Sequence, residues 1–174
     1  MKTTISVFGS ARVKNDSPEY VEAQKIGTIL GRHGFDLLCG GFAGVMEAVC
    51  RGAIETGAKT TGVGLNSFTA SPNPYIENYL SVENLSDRLE YFRENSNLIL
   101  GMPGGIGTLT EVMFFWDMSK AGIEADRDIF LYGNCWKKLI PHLKENFIIE
   151  DKCFEYVRLF LKPTQLEEYL KNIS

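Results

Sequence analysis

The stretch Asn97-Leu98-Ile99-Leu100-Gly101-Met102-Pro103-Gly104-Gly105-Ile106-Gly107-Thr108-Leu109-Thr110-Glu111 decides how the rest of the chain is read. Its first six residues form a short, mostly apolar run, as a strand buried on both faces requires. A proline and three glycines then break the run, and Thr108–Gly122 has the length and apolar content of a helix. Strand, glycine turn and helix together are the unit of a parallel sheet, because each strand must be followed by a crossover.

The same punctuation recurs on either side. Thr4–Phe8 reads as a strand ending in Gly9-Ser10. Asp16-Ser17-Pro18-Glu19 has the form of a helix start, with a capping side chain, Pro in the first turn and an acid beside it. That helix runs to Arg32 and stops near Gly34. Phe35–Leu38 is a second strand, leading into Cys39-Gly40-Gly41-Phe42-Ala43-Gly44 and a helix through about Glu55. Thr60–Leu65, Asn97–Met102 and Asp128–Tyr132 read as the third, fourth and fifth strands. Leu85–Glu94, Trp136–Asn146 and Gln165–Asn172 read as helices. Asn66–Tyr79, with its Ser71-Pro72-Asn73-Pro74, reads as a loop reaching over the site. This alternation predicts an α/β fold: a Rossmann-like, doubly wound parallel sheet with helices on both faces. Residues 1–174 are expected to form one domain, since no repeat or dividing linker interrupts them.

Composition narrows the function classes. Eighteen basic against 22 acidic residues give a net charge of −4, which argues against a general nucleic-acid binder. No apolar run is long enough to cross a bilayer or to serve as a secretory core, so a cytoplasmic setting without membrane attachment is expected. Cys39, Cys50, Cys135 and Cys153 are scattered, without CxxC spacing, and only two histidines accompany them. Buried reduced thiols are expected rather than a zinc site.

Three glycine turns leave strand ends and enter helices: Gly9-Ser10, Gly40–Gly44 and Gly104–Thr108. Each can present unpaired N–H groups and the positive end of a helix to an anion. In an open parallel sheet such turns converge on one crevice, which points to a phosphate site. Thr108-Leu109-Thr110-Glu111 leaves two readings open at this point. Thr108 and Glu111 fit a capping box that merely starts the helix. The glycines before them fit a turn against which a ligand lies.

Pro103-Gly104-Gly105-Ile106-Gly107-Thr108-Leu109-Thr110-Glu111 resembles the PGGxGTxxE signature of the LOG (Lonely Guy) family, nucleotide 5′-monophosphate phosphoribohydrolases often labelled lysine decarboxylases. Val7-Phe8-Gly9-Ser10 with Pro18-Glu19-Tyr20 is similar to that family's opening strand, phosphate loop and first helix. Leu38-Cys39-Gly40-Gly41 through Gly44-Val45-Met46 is similar to its second turn and helix. Gly62–Asn66, Asn73-Pro74-Tyr75 and Tyr91-Phe92 resemble its longer bacterial branch, so the likeness covers most of the chain. The family's catalytic arginine falls on Arg88 by spacing both from Pro103 and from Asn73-Pro74-Tyr75; Arg93 fits neither spacing. Leu89 stands where the family has Lys, Thr110 where it often has a second acid, and Asp117 where it commonly has Thr.

The resemblance implies hydrolysis of the N-glycosidic bond of a nucleoside 5′-monophosphate, AMP or an N6-modified AMP, to free base and ribose 5-phosphate. In that reaction positive charge develops on the ribose carbon, and a carboxylate stabilises it and draws a proton from water. Glu111 takes that role, and Arg88 orients Glu111 or the nucleotide and keeps Glu111 ionised. Gly104, Gly105, Gly107 and Thr108 hold the phosphate, with Ser10 and Gly41 contributing. No metal or other cofactor is called for. A non-hydrolytic carrier of molybdenum cofactor, or a nucleotide sensor, is the alternative on this fold. A decarboxylase would need a pyridoxal-phosphate lysine that these motifs do not supply, and a dehydrogenase would need GxGxxG after the first strand. His33 and His142 fall near helix ends, a structural placement. Phe114, Phe115, Trp116 and Met118 make their helix apolar nearly all round, which fits core or a subunit interface. The family pairs as homodimers, so a homodimer through this helix is expected.

Overall fold

The computed structural model describes residues 3–123 and 127–173. Its strands are β1 (Thr4–Phe8), β2 (Asp36–Cys39), β3 (Thr60–Leu65), β4 (Asn78–Val82), β5 (Leu98–Gly101), β6 (Ile129–Tyr132) and β7 (Val157–Phe160). Its helices are α1 (Pro18–Arg32), α2 (Val45–Ile54), α3 (Leu85–Asn95), α4 (Ile106–Lys120), α5 (Asn134–Asn146) and α6 (Pro163–Ile173), with one 3-10 segment at Asp151–Tyr156. All strand pairs are parallel, in the order β4-β3-β2-β1-β5-β6-β7. The chain winds outward from β1 to β4 and restarts beside β1 at β5. The crevice at the carboxyl ends of β1 and β5 is therefore the point where the winding reverses.

The central strands are apolar on both sides because helices cover both faces. α1, α2 and α6 pack over one face, around Ile5, Val7, Ile26, Leu30, Val49 and Leu166. α3, α4 and α5 cover the other, around Phe8, Phe92, Ile99, Phe115, Leu131 and Trp136. α1 and α2 meet backbone to backbone: a Cβ on Gly27 or Gly52 would lie 2.0 Å from a carbonyl oxygen of the opposite helix. That approach locks α1 against α2 from Val49 to Gly52.

Two strands escape the sequence pattern. β4 falls partly in the stretch read as a loop, and β7 was given no element. Both are edge strands that pair on one side only, β4 with β3 and β7 with β6. None of the five β4 residues is buried, and Arg158 and Leu159 of β7 face solvent. An edge strand need not carry the continuous apolar run that marks a central one. Among the described residues no helix is long and apolar enough to cross a membrane.

Candidate functional site

The three glycine turns are tied to one another by backbone. Ser10 N donates to the Pro103 carbonyl at 3.0 Å, and the Ser10 carbonyl accepts from Val45 N at 2.8 Å. The turn after β1 thus bridges those after β5 and β2. Gly44 has φ +69°, and a Cβ there would lie 2.3 Å from the Ser10 carbonyl oxygen, so no other residue fits without moving the bridge. The Ser10 hydroxyl accepts from Arg12 N at 3.0 Å and shapes the loop locally. Gly41, φ +79°, turns toward β3. Its carbonyl accepts from Asn73 N at 2.8 Å and from Asn73 Nδ2 at 3.1 Å, so the buried Asn73 pins the β3–β4 loop to the β2 turn.

At the β5 turn the capping-box reading fails. α4 begins at Ile106 with Gly105 as its N-cap, and no side chain caps it. Thr108 is therefore inside the helix, and its buried side chain fills the space beneath Gly104. A Cβ on Gly104 would lie 2.1 Å from Thr108 Oγ1. Around Gly105 and Gly107 the reverse holds: an added Cβ would meet nothing within 4 Å. Neither of these two glycines is required by packing, and neither has a positive φ.

Glu111 turns away from the helix start and pairs with Arg88. Arg88 Nη1 donates to Glu111 Oε1 at 2.6 Å, and Arg88 Nε donates to the Val63 carbonyl at 2.8 Å. The guanidinium lies over the Phe92 ring, 5.0 Å from its centroid, one turn along the same face of α3. Arg88 and Phe92 are the two buried residues of that helix. Arg88 is 8% and Glu111 6% exposed, so the pair sits in a low-dielectric setting where each charge depends on the other. Burial pushes the Glu111 carboxyl above its ordinary value, and the Arg88 guanidinium opposes that shift. Oε2 of Glu111 has no hydrogen-bond partner among the described residues and is not fully sealed from solvent. The carboxylate is held by one oxygen while the other remains open.

A sequence model of the SLOG cluster4 family matches residues 2–143. The chain belongs to that family. SLOG cluster4 is LOG-like, which bears out the resemblance carried by Pro103–Glu111. The chain is 30% identical over 105 residues to the pyrimidine/purine nucleotide 5′-monophosphate nucleosidase of Escherichia coli strain K12, a match covering 55% of this chain and 23% of that protein. Among solved structures it is similar to the molybdenum cofactor binding protein of Rippkaea orientalis, with a TM-score of 0.73, 22% identity, and 99% and 98% of the two chains covered. It is likewise similar to the molybdenum cofactor carrier protein of Chlamydomonas reinhardtii, with a TM-score of 0.70, 22% identity and the same coverage. At these identities the two structures show that this member of the SLOG cluster4 family has their fold.

Sequence reasoning did not foresee the anchor at Val63, because a backbone carbonyl leaves no mark in composition. It also did not foresee that Gly40 borders the arginine: a Cβ there would lie 2.7 Å from Arg88 Nη2. Gly40→Ala, whose Cβ would also lie 2.9 Å from Met46 Sδ, is expected to displace the guanidinium from Glu111, with a lowered melting temperature and a clear loss of any nucleotide turnover. Parallel thermal melts and activity assays check this. Arg93 pairs instead with Glu90 on the outside of α3. Three cysteines are buried as expected, but Cys135 is exposed near the start of α5, where only Trp136 of the first turn is buried. Cys39 and Cys50 lie with their sulfurs 3.7 Å apart beneath the β2 turn. His33 ends α1, and His142 lies 3.2 Å from Asn146 Nδ2 in α5. Of the apolar residues of α4, Phe115 and Trp116 are core, whereas Phe114 and Met118 are half-exposed. Ile123, Phe147 and Ile148 are exposed, and Ile148 joins Met113, Trp116 and Leu143 in lining a cleft between α4 and α5.

Proposed function

We propose that the chain hydrolyses the N-glycosidic bond of a nucleoside 5′-monophosphate, releasing base and ribose 5-phosphate. The observation that carries this reading is the buried Arg88–Glu111 pair, with one carboxylate oxygen open, beside a glycine turn at the N-terminus of α4. The phosphate lies against Gly105 and Gly107, whose missing side chains leave the first N–H groups of α4 uncovered, and Gly104, Thr108 and Ser10 hold that turn in shape. Gly41 belongs to the β3 side of the crevice and contributes there. Glu111 draws the proton from the attacking water and stabilises the developing ribose cation. Arg88 keeps Glu111 ionised and fixed. The name borne by the E. coli relative supports the reaction class. No residue in this mechanism calls for a cofactor.

Incubation with a panel of nucleoside 5′-monophosphates, with the matching nucleosides as controls, tests the reading. Release of base and ribose 5-phosphate from AMP but not from adenosine is expected. Binding of AMP without turnover would favour the carrier reading, which rests on likeness of fold to the molybdenum cofactor proteins. The phosphate contact has its own test. Ala at position 107, in the first turn of α4, is the better helix former by up to about 1 kcal/mol, so Gly107→Ala leaves the melting temperature unchanged or raised. Its Cβ projects into the space assigned to the phosphate, so AMP binding weakens at least about tenfold. Unchanged affinity, measured by calorimetry, would remove the phosphate from this turn.

The half-exposed side of α4, with Ile148 and Phe147, is assigned to pairing with a second copy of the chain. A monomer in sedimentation at micromolar concentration would count against that pairing.

A further inference from the structure

Next to the charged pair, on the side away from the β5 turn, the crevice changes character. Phe42 follows Gly40-Gly41 in the turn after β2, and its Cδ2 lies 3.7 Å from the position a Gly40 Cβ would take, a point also 2.7 Å from Arg88 Nη2. Phe42 and Arg88 therefore both border Gly40. Its ring meets Phe68 edge-on at 5.4 Å and Tyr79 at 6.5 Å. The Tyr79 side chain lies against bare backbone: a Cβ on Gly62 would fall 2.9 Å from its ring, and one on Gly64 1.9 Å from its hydroxyl. Phe68 stands 46% exposed on a loop whose residues 66–72 all face solvent. Phe42, Ser67, Phe68, Thr69 and Ala70 line an open cleft of about 330 Å³ containing no ionisable side chain. A cleft of aromatic rings and small hydroxyls with no charge suits a flat, neutral, hydrogen-bonding ring.

The order of these features along the crevice matches a nucleotide. The glycine turn lies at the end of β5 and the charged pair beside Gly40 at the end of β2. The aromatic cleft lies over β2 and β3. From β5 to β2 is two strand spacings, roughly 10 Å, the order of an extended mononucleotide. We infer that Phe42 and Phe68 form the base subsite, stacking the nucleobase of the nucleoside monophosphate while Tyr79 supports Phe42 from below. This rests on the reading of the glycine turn and Glu111 as a nucleotide site, and it adds the element that selects for an aromatic base.

The test compares a ligand with its base and one without. Glu111→Gln stops turnover, and equilibrium binding of AMP and of ribose 5-phosphate is measured in that background by calorimetry. Adding Phe68→Ala weakens AMP about tenfold, the scale of one lost stacking contact, and changes ribose 5-phosphate less than twofold. Phe68→Trp restores AMP affinity. Because Phe68 is half out of the fold, the alanine variant keeps its melting temperature, and Phe42→Leu serves as a second probe inside the turn. AMP binding indifferent to both substitutions, or an equal loss for both ligands, overturns the subsite and leaves the hydrolase reading standing. Phe68-dependent AMP binding by a chain that shows no turnover with Glu111 intact overturns the hydrolase reading and leaves the subsite. Failure of AMP to bind at millimolar concentration overturns both.

Discussion

Glu111→Gln lowers the rate of base release from a nucleoside 5′-monophosphate by about a thousandfold while leaving nucleotide affinity within a few fold of the parent. The magnitude follows from losing both a general base and a negative charge beneath the ribose carbon. Glutamine keeps the size of the side chain, and its carbonyl oxygen can still accept from Arg88 Nη1, so the geometry around Val63 survives. The pH dependence carries a further signature. Burial raises the Glu111 carboxyl above 4.5, and the ionised form is the base. Turnover therefore falls as pH drops through that raised value, and the acid limb is displaced upward from where an ordinary Glu would put it. The same shift acts on stability with a definite sign. The folded chain holds this proton more tightly than the unfolded chain, so Glu111's contribution is fully present below pH 4.5 and is lost as pH rises through the raised value. Acid stabilises this group's fold and stops its chemistry. Assay of released base and ribose 5-phosphate from pH 4 upward checks both parts, and full activity of Glu111→Gln would remove Glu111 from the mechanism.

How much of this was legible in the sequence differs from residue to residue for physical reasons. The central strands could be read because a strand buried on both faces has to be apolar throughout, as Ile99, Leu100 and Ile129–Tyr132 are. β4 and β7 could not, because an edge strand is held by hydrogen bonds on one side and its side chains obey no such constraint. The three glycine turns could be placed at strand ends, but not their joining through Ser10, which is a matter of backbone. Thr108 and Glu111 were ambiguous in one dimension, since a capping box and a ligand turn share the same letters. The ambiguity is resolved by where α4 starts, two residues before Thr108, and by Arg88, which is 23 residues away in sequence and 2.6 Å away in space. Arg88 itself was reachable only through likeness to the LOG family. A single arginine on a polar helix carries no periodic signal, and only the structure shows that it faces inward with Phe92.

That inward face makes Arg88→Met the substitution with the largest structural effect. Methionine matches the aliphatic stem and keeps contact with Phe92, but it removes every donor. The Val63 carbonyl loses its partner, and Glu111, 6% exposed, loses the cation that opposed its burial. At neutral pH the variant is less stable by about 3 kcal/mol, the scale for breaking a buried ion pair from one side. Glu111 can relieve much of this by taking up a proton, and without Arg88 its carboxyl titrates still higher than in the parent. The stability gap between parent and variant therefore narrows as pH falls, and chemical denaturation at pH 7 and pH 5 measures it. Turnover drops for the same reason, because a protonated Glu111 cannot accept the proton of the attacking water, and it recovers in part as pH rises. Arg88→Lys separates charge from shape. Its ammonium restores a cation near Glu111 but cannot reach Oε1 and the Val63 carbonyl together, as the planar guanidinium does. Stability then returns further than activity. Equal recovery of both would mean that the charge alone matters, and an Arg88→Met chain with parental stability and turnover would mean that the buried pair is idle.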